Sequence, residues 1–207
     1  MLAEGFVAVE GPTGVGKTAL AERLAAALDA TAVLDPYESN QLLPQLAAGG
    51  PDPVLALQVE MTFVALRVAQ LRQIAALLDA GRFVVADWAL LKQAIFAATV
   101  LDPTDTARVA ATVEVWAGSV PTPDLLVGMS APAGTLQARI RARGRVFEAG
   151  LTHDYLTDLS AAFDAAFAAW PGRLLPVAAG TFNTFDDRSV HDLAHEIRGA
   201  LTLVETR

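Results

Sequence analysis

The stretch Gly11-Pro12-Thr13-Gly14-Val15-Gly16-Lys17-Thr18 constrains this chain more than any other. It fits G-x-x-x-x-G-K-[ST] and has the context that pattern needs: an apolar run, Phe6 to Val9, before it and a helical pattern after it. Glycines at 14 and 16 let the backbone turn its N–H groups inward, so the loop, Thr13 and Val15 included, forms a nest for anions. The helix N-terminus beyond it adds partial positive charge. Lys17 reaches the outer phosphates, and the Thr18 hydroxyl is placed to ligate Mg²⁺. Such a loop holds the phosphates of a nucleoside triphosphate. What is done to them must come from elsewhere in the chain.

Short apolar runs alternate with helical patterns along the 207 residues. Strands are expected at 5–10, 31–34, 82–86, 124–129 and 173–178. Helices are expected at 16–29, 53–80, 132–143, 154–170 and 186–203. Strands that are apolar throughout, alternating with helices, imply an α/β fold with a five-stranded parallel sheet covered by helices on both faces. The length suits one domain, 1–207, with a full core. Ligands in such a sheet bind beyond the carboxyl ends of the strands. The loops at 11–17, 35–40, 87–92 and 129–132 therefore carry the chemistry.

Composition narrows the partners. The net charge is -8, from 23 acidic against 15 basic residues, which is wrong for wrapping nucleic acid. Hydrophobic residues make up 53% of the chain, yet no apolar run reaches the ~18 residues of a membrane span. The N-terminus lacks a signal-type pattern. Cysteine is absent, which excludes thiol catalysis and fits a reducing cytosol. A cytoplasmic protein with a small anionic ligand in a local basic pocket is the expectation.

Two further features supply chemistry. "RFVVAD" ends in Asp87, where a phosphate-loop protein carries an acidic residue near Mg²⁺ and the reacting oxygens. Such a carboxylate can accept the proton of an attacking hydroxyl. "ARIRARGRVFE" places Arg139, Arg141, Arg143 and Arg145 within seven residues, followed by Glu148. Arg139 and Arg143 share a helix face. Gly144 lets the chain leave the helix. The pattern reads as a lid over phosphates, about residues 143–152, that supplies arginines in cis. His191 and His195 lie at i, i+4 without a third ligand and read as a solvated helix face.

Taken together, the phosphate loop, the acid after strand three and the lid resemble the deoxynucleoside kinase family, in its bacterial deoxyadenosine/deoxyguanosine kinase branch. "AVEGPTGVGKTALAERLA", "LDPYESN", "VVADWALLKQAIFA" and "PDLLVGMSAPAGTLQARIRARGRVFEAGLTHDYL" carry the resemblance over nearly the whole chain. It implies a P-loop kinase fold with an arginine-rich lid. It implies transfer of the γ-phosphate of ATP, with Mg²⁺, to the 5′-hydroxyl of a deoxynucleoside, a purine, for salvage. It also implies a homodimer through long helices. By position, Asp87 is the base, Asp35 holds the 5′ end, and Arg67 sits near the acceptor. Arg139, Arg143 and Arg145 neutralise the triphosphate, and Glu148 contacts the 3′-hydroxyl side of the sugar. Phe63, Trp88 and Phe96 are the candidate stacking surfaces for the base.

Three positions depart from the family pattern. The residue after the catalytic acid is Trp88 rather than Arg, so either Lys92 supplies the charge or the 5′ site is less tightly clamped. Strand two ends in Asp35 rather than Glu. Seven residues before Arg67 stands Glu60 rather than Gln. An ionised carboxylate only accepts, so it favours a base edge that presents donors, such as guanine N1–H and N2–H₂ or an exocyclic amine, which weakly favours guanine. Two rival readings share the loop: a nucleoside monophosphate kinase of the thymidylate kinase type, and a nucleotide-binding switch without small-molecule kinase activity. The R-G-R-x-x-E lid favours the nucleoside kinase over the first. Its own arginines favour it over the second.

Overall fold

The computed structural model describes residues 5–50 and 52–202. Five strands form one parallel sheet: β1 (Gly5–Glu10), β2 (Thr31–Val33), β3 (Phe83–Ala86), β4 (Leu125–Ser130) and β5 (Arg173–Ala178). Their order across the sheet is β2-β3-β1-β4-β5. Val7 pairs with Val85 on one side and with Leu125 on the other, so β1 is central. The expected all-parallel sheet is what the chain forms.

Side-chain alternation divides the core into two layers. Val7, Val9, Val85, Leu125 and Val127 face α1 (Lys17–Leu28) and the last helix, α8 (Asp187–Thr202), packing on Leu20, Leu24, Leu193 and Ile197. Phe6, Ala8, Val84, Ala86 and Leu126 face the opposite way, against Leu71, Ile74 and Trp88. Every residue of β1 and β3 is buried, which is why these strands lack an apolar–polar period. Each large apolar side chain so buried contributes roughly 1.5–3 kcal/mol.

Helix ends follow local chemistry. Asp52 accepts from the amides of Val54 and Leu55 and starts α3 (Pro53–Asp79), with Pro53 in the first turn. α3 is long and apolar enough to cross a membrane by length and composition, but its inward face is part of this core, with Glu60 and Arg67 buried in it.

Three helices were not expected: α2 (Leu43–Gly49), α4 (Leu91–Val100) and α5 (Pro103–Ala117). For α5 the signal was present, since Asp102 caps Thr104 and Asp105 ahead of Pro103. α4 has neither an acidic N-cap nor a C-cap glycine, and α2 is short, so neither announces itself. The remaining helices are α6 (Ala133–Arg143) and α7 (His153–Ala168), within two residues of expectation. Residue 203, expected to end the last helix, lies outside the described residues.

Candidate active site

The carboxyl ends of β1, β2 and β3 open onto a cavity of about 610 Å³. Its phosphate end is the loop between β1 and α1. Gly11 has φ 152°, and a Cβ there would meet the Met129 carbonyl oxygen at 2.3 Å. Gly14 has φ 85°, and a Cβ would crowd the Leu136 carbonyl and Ile140 of α6. Only glycine allows this loop to lie so close to β4 and α6. Lys17 folds back into the loop and donates to the carbonyls of Gly11 at 2.7 Å and Pro12 at 3.1 Å. Burial, then Lys92, pulls its ammonium down to about 8, and the neighbouring carboxylates oppose this. Beneath the loop, buried Glu10 accepts from the amides of Gly11 and Ala89, tying β1 to the segment after β3.

Two carboxylates stand between the loop and the rest of the cavity. The Thr18 hydroxyl donates to Asp87 at 2.5 Å, and the Asp35 amide donates to the other Asp87 oxygen at 2.6 Å. The Asp35 side chain is held by Lys92 at 2.5 Å and Arg67 at 3.2 Å. Burial alone would push the Asp35 carboxyl up, but these two cations outweigh it and hold it well below the usual carboxylate range. Asp35 is therefore ionised throughout the neutral range.

Farther in, Glu60, Phe63, Phe96 and Tyr155 line the cavity. The Arg67 guanidinium lies over the Phe63 ring at 4.6 Å. It donates to Gln93 at 2.6 Å, and Gln93 donates to Glu60 at 2.5 Å. Burial raises the Glu60 carboxyl to about 7, against the pull of Arg67 and Gln93.

On the opposite wall Arg143 grips Glu148 with three hydrogen bonds, from Nη2 to both carboxylate oxygens at 2.7 and 2.6 Å and from Nε to one of them at 3.2 Å. Arg145 pairs with the same Glu148 and lies over Tyr37 at 4.2 Å. The arginine-bearing segment is thereby drawn against the chain after β2. All three residues line the cavity.

Two expectations are corrected. Trp88 does not line the cavity: it is fully buried in the layer of Phe6, Leu71 and Ile74. Side chains alternate along extended backbone, so with Asp87 facing the cleft its successor faces the core. Arg139 is also elsewhere. It donates to the carbonyls of Val15 at 2.8 Å and Ala179 at 2.9 Å, so its guanidinium braces the outside of the phosphate loop. His191 and His195 are exposed on α8. Among the described residues no cluster of three or more His, Cys, Asp or Glu could hold a metal.

Gln93 and Tyr155 escaped sequence reasoning. Both sit on otherwise unremarkable helical turns, and only the packing of α4 beside α3, and of α7 beside α4, brings them towards Glu60. The one signal for Gln93 was its place next to Lys92 in the segment after the acid.

The model of the family described as deoxynucleoside kinase matches residues 7–201. The deoxyguanosine kinase of Bacillus subtilis is 30% identical over 162 residues, covering 78% of this chain and 77% of that protein. Solved structures of deoxyadenosine kinase from M. mycoides have the same fold. The form with bound dATP superposes with a TM-score of 0.79 at 18% identity, covering 94% of this chain and 99% of that one. The form with bound dCTP gives 0.77, also at 18% identity and with the same coverage.

Proposed function

The chain belongs to the deoxynucleoside kinase family, and from that premise we propose that it transfers the γ-phosphate of ATP to the 5′-hydroxyl of a purine deoxynucleoside. The observation that carries this reading is the continuity of one cavity. It runs from the phosphate loop, past Asp87 and Asp35, to an apolar slot with Glu60 at its end. Phosphate, sugar and base therefore have adjoining places in a line.

The roles follow from position. Loop amides, Lys17, Arg143 and Arg145 neutralise the triphosphate, leaving little bond-making for the protein beyond alignment. Phe63 and Phe96 flank the base, and Glu60 reads its edge. Glu148 sits at the sugar side and positions Arg143 and Arg145. When residues 143–152 close as a lid, they exclude water and limit hydrolysis of ATP.

The Thr18 hydroxyl and Asp87 carboxylate, already touching, make an all-oxygen pair that suits Mg²⁺, which takes one or two protein oxygens alongside phosphates. Bound there, the ion would neutralise charge on the transferring group. The same contact favours a second reading of the two carboxylates. Asp87 belongs to the metal side, and Asp35, clamped by Lys92 and Arg67, orients the 5′-hydroxyl.

Both terminal nitrogens of Arg67 are engaged by Asp35 and Gln93. With both spent in this way, neither is turned to an acceptor phosphate, which argues against a monophosphate kinase. A homodimer in the cytoplasm completes the reading, with exposed Val54 and Met61 on α3 and Val115 on α5 as apolar surface for pairing.

A panel of the four deoxynucleosides, with dGMP, dAMP and dTMP beside them, offered with ATP and Mg²⁺, tests the reading. Phosphorylation of a purine deoxynucleoside supports it. Turnover of a monophosphate alone, or ATP binding without consumption, sinks it.

A further inference from the structure

A relay of polar groups runs along the buried floor of the cavity. Lys92 and Arg67 hold Asp35, Arg67 donates to Oε1 of Gln93, and Nε2 of Gln93 donates to Glu60. A guanidinium can only donate. The Gln93 amide therefore has one orientation, its oxygen committed to Arg67 and its NH₂ group to Oε2 of Glu60. A second bond, from Nε2 to the Glu60 carbonyl at 3.3 Å, holds it there.

The consequence falls on the Glu60 carboxyl. Oε2 receives a hydrogen from the amide whatever the ionisation state. A proton arriving on the carboxyl therefore settles on Oε1. Among the described residues nothing donates to Oε1, and Glu60 lines the cavity. The two purines make opposite demands on such an atom. Guanine presents N1–H and N2–H₂ donors on its pairing edge, whereas adenine presents an N1 acceptor beside its amino group.

Building on the deoxynucleoside kinase reading, we propose that a proton on Glu60 selects the purine. Ionised Glu60 accepts from guanine. Protonated Glu60 donates from Oε1 to N1 of adenine. One cavity then serves both purines in a ratio set by pH.

The polar groups facing Glu60 are Arg67 on α3, Lys92 and Gln93 on α4, Asp35 after β2, and Tyr155 on α7. Arg67 and Lys92 favour the ionised form, Asp35 the protonated one, and burial outweighs them all. The outcome, about 7, populates both forms near neutrality. Burial pushes the Tyr155 phenol up, so it stays neutral across that range. Arg143 and Arg145, on the far wall, are engaged by Glu148.

The test is kcat/KM for deoxyguanosine and for deoxyadenosine, with ATP, between about pH 6 and 8. The ratio rises about tenfold per pH unit, because one proton separates the two competent forms. Taking a ratio cancels titrations that affect both substrates alike, such as that of Lys17. Calorimetry at about pH 7, in buffers of different ionisation enthalpy, gives a readout without turnover. There deoxyguanosine binding releases protons and deoxyadenosine binding takes them up. Glu60→Gln flattens the ratio and fixes it on the adenine side, since the amide keeps its oxygen on Gln93 and turns its NH₂ to the base. A flat ratio in the unaltered protein, equal proton counts for both ligands, or a slope that survives Glu60→Gln overturns the proposal. If neither purine deoxynucleoside is phosphorylated at any pH, the kinase reading itself falls, and the selection mechanism with it.

Discussion

Lys92 reaches from α4 to place its ammonium 2.5 Å from the carboxylate of Asp35 at the end of β2. In the proposed reading this ammonium stands in for the arginine that the Trp88 position lacks, four residues farther along. Both side chains are about nine-tenths buried, so the pair is poorly screened by solvent. Lys92→Met keeps the bulk and removes the charge. Arg67 stays beside Asp35, so the expected loss of stability is about 2–3 kcal/mol, below the full cost of orphaning a buried charge. The activity should fall at least about tenfold. Adding Asp35→Asn should restore stability but not activity. Urea midpoints and kcat/KM for the four corners of this cycle check it, and full activity in Lys92→Met discards the role.

Asp87 and Asp35 can be separated by their dependence on metal. Asp87→Asn should lower turnover by about 10²-fold or more while leaving ATP affinity nearly intact. If Asp87 belongs to the metal side, that variant should also need more Mg²⁺ for half-maximal rate, and Asp35→Asn should not. Titrating Mg²⁺ at saturating substrate decides between the two readings. An unchanged Mg²⁺ requirement in Asp87→Asn returns it to the role of base.

Arg143 should matter for rate more than for nucleoside binding. An arginine supplied in cis to a transferring phosphoryl group is worth roughly 10³-fold. Arg143→Ala is expected to lower kcat on that order, with KM for the nucleoside changed much less. Lys17→Ala should abolish turnover. Steady-state kinetics with ATP held saturating measures both, and a kcat in Arg143→Ala within a few-fold of the unaltered protein removes Arg143 from the machinery.

Glu60 also leaves a mark on stability. Its carboxyl is raised from 4.5 to about 7 in the folded chain. A group raised in this way stabilises the fold fully below the unfolded value, and that contribution is lost as pH climbs through the folded value. The difference in unfolding free energy between the unaltered protein and Glu60→Gln should therefore shrink from pH 4.5 towards 7, by up to about 1.4 kcal/mol per pH unit. Taking the difference removes the contribution of Glu10, which burial shifts in the same direction. A difference that does not vary with pH means that folding does not raise the Glu60 carboxyl.

Much of this was legible from residues alone, because it depends on local chemistry. The phosphate loop needs glycine where φ is positive and a lysine at one spacing, and both stand in eight consecutive residues. Strands buried on both faces appear as unbroken apolar runs, so all five were found within a residue or two. The acid after β3 and the arginine run were visible for the same reason. Trp88 and Arg139 were misjudged because composition says what a side chain can do but not where it points. Trp88 turns into the core by strand alternation, and Arg139 spends its donors on two carbonyls far away in sequence.

The amino-acid sequence by itself determined the phosphate cradle, the parallel sheet and the supply of charged groups, since neighbours along the chain are enough to specify each. Tertiary structure alone decided which charges meet. Lys92, Asp35, Arg67, Gln93 and Glu60 come from three separate segments, and no spacing rule joins them. They become a relay only when α3 and α4 pack beside the end of β2 and exclude the water that would otherwise satisfy each group separately.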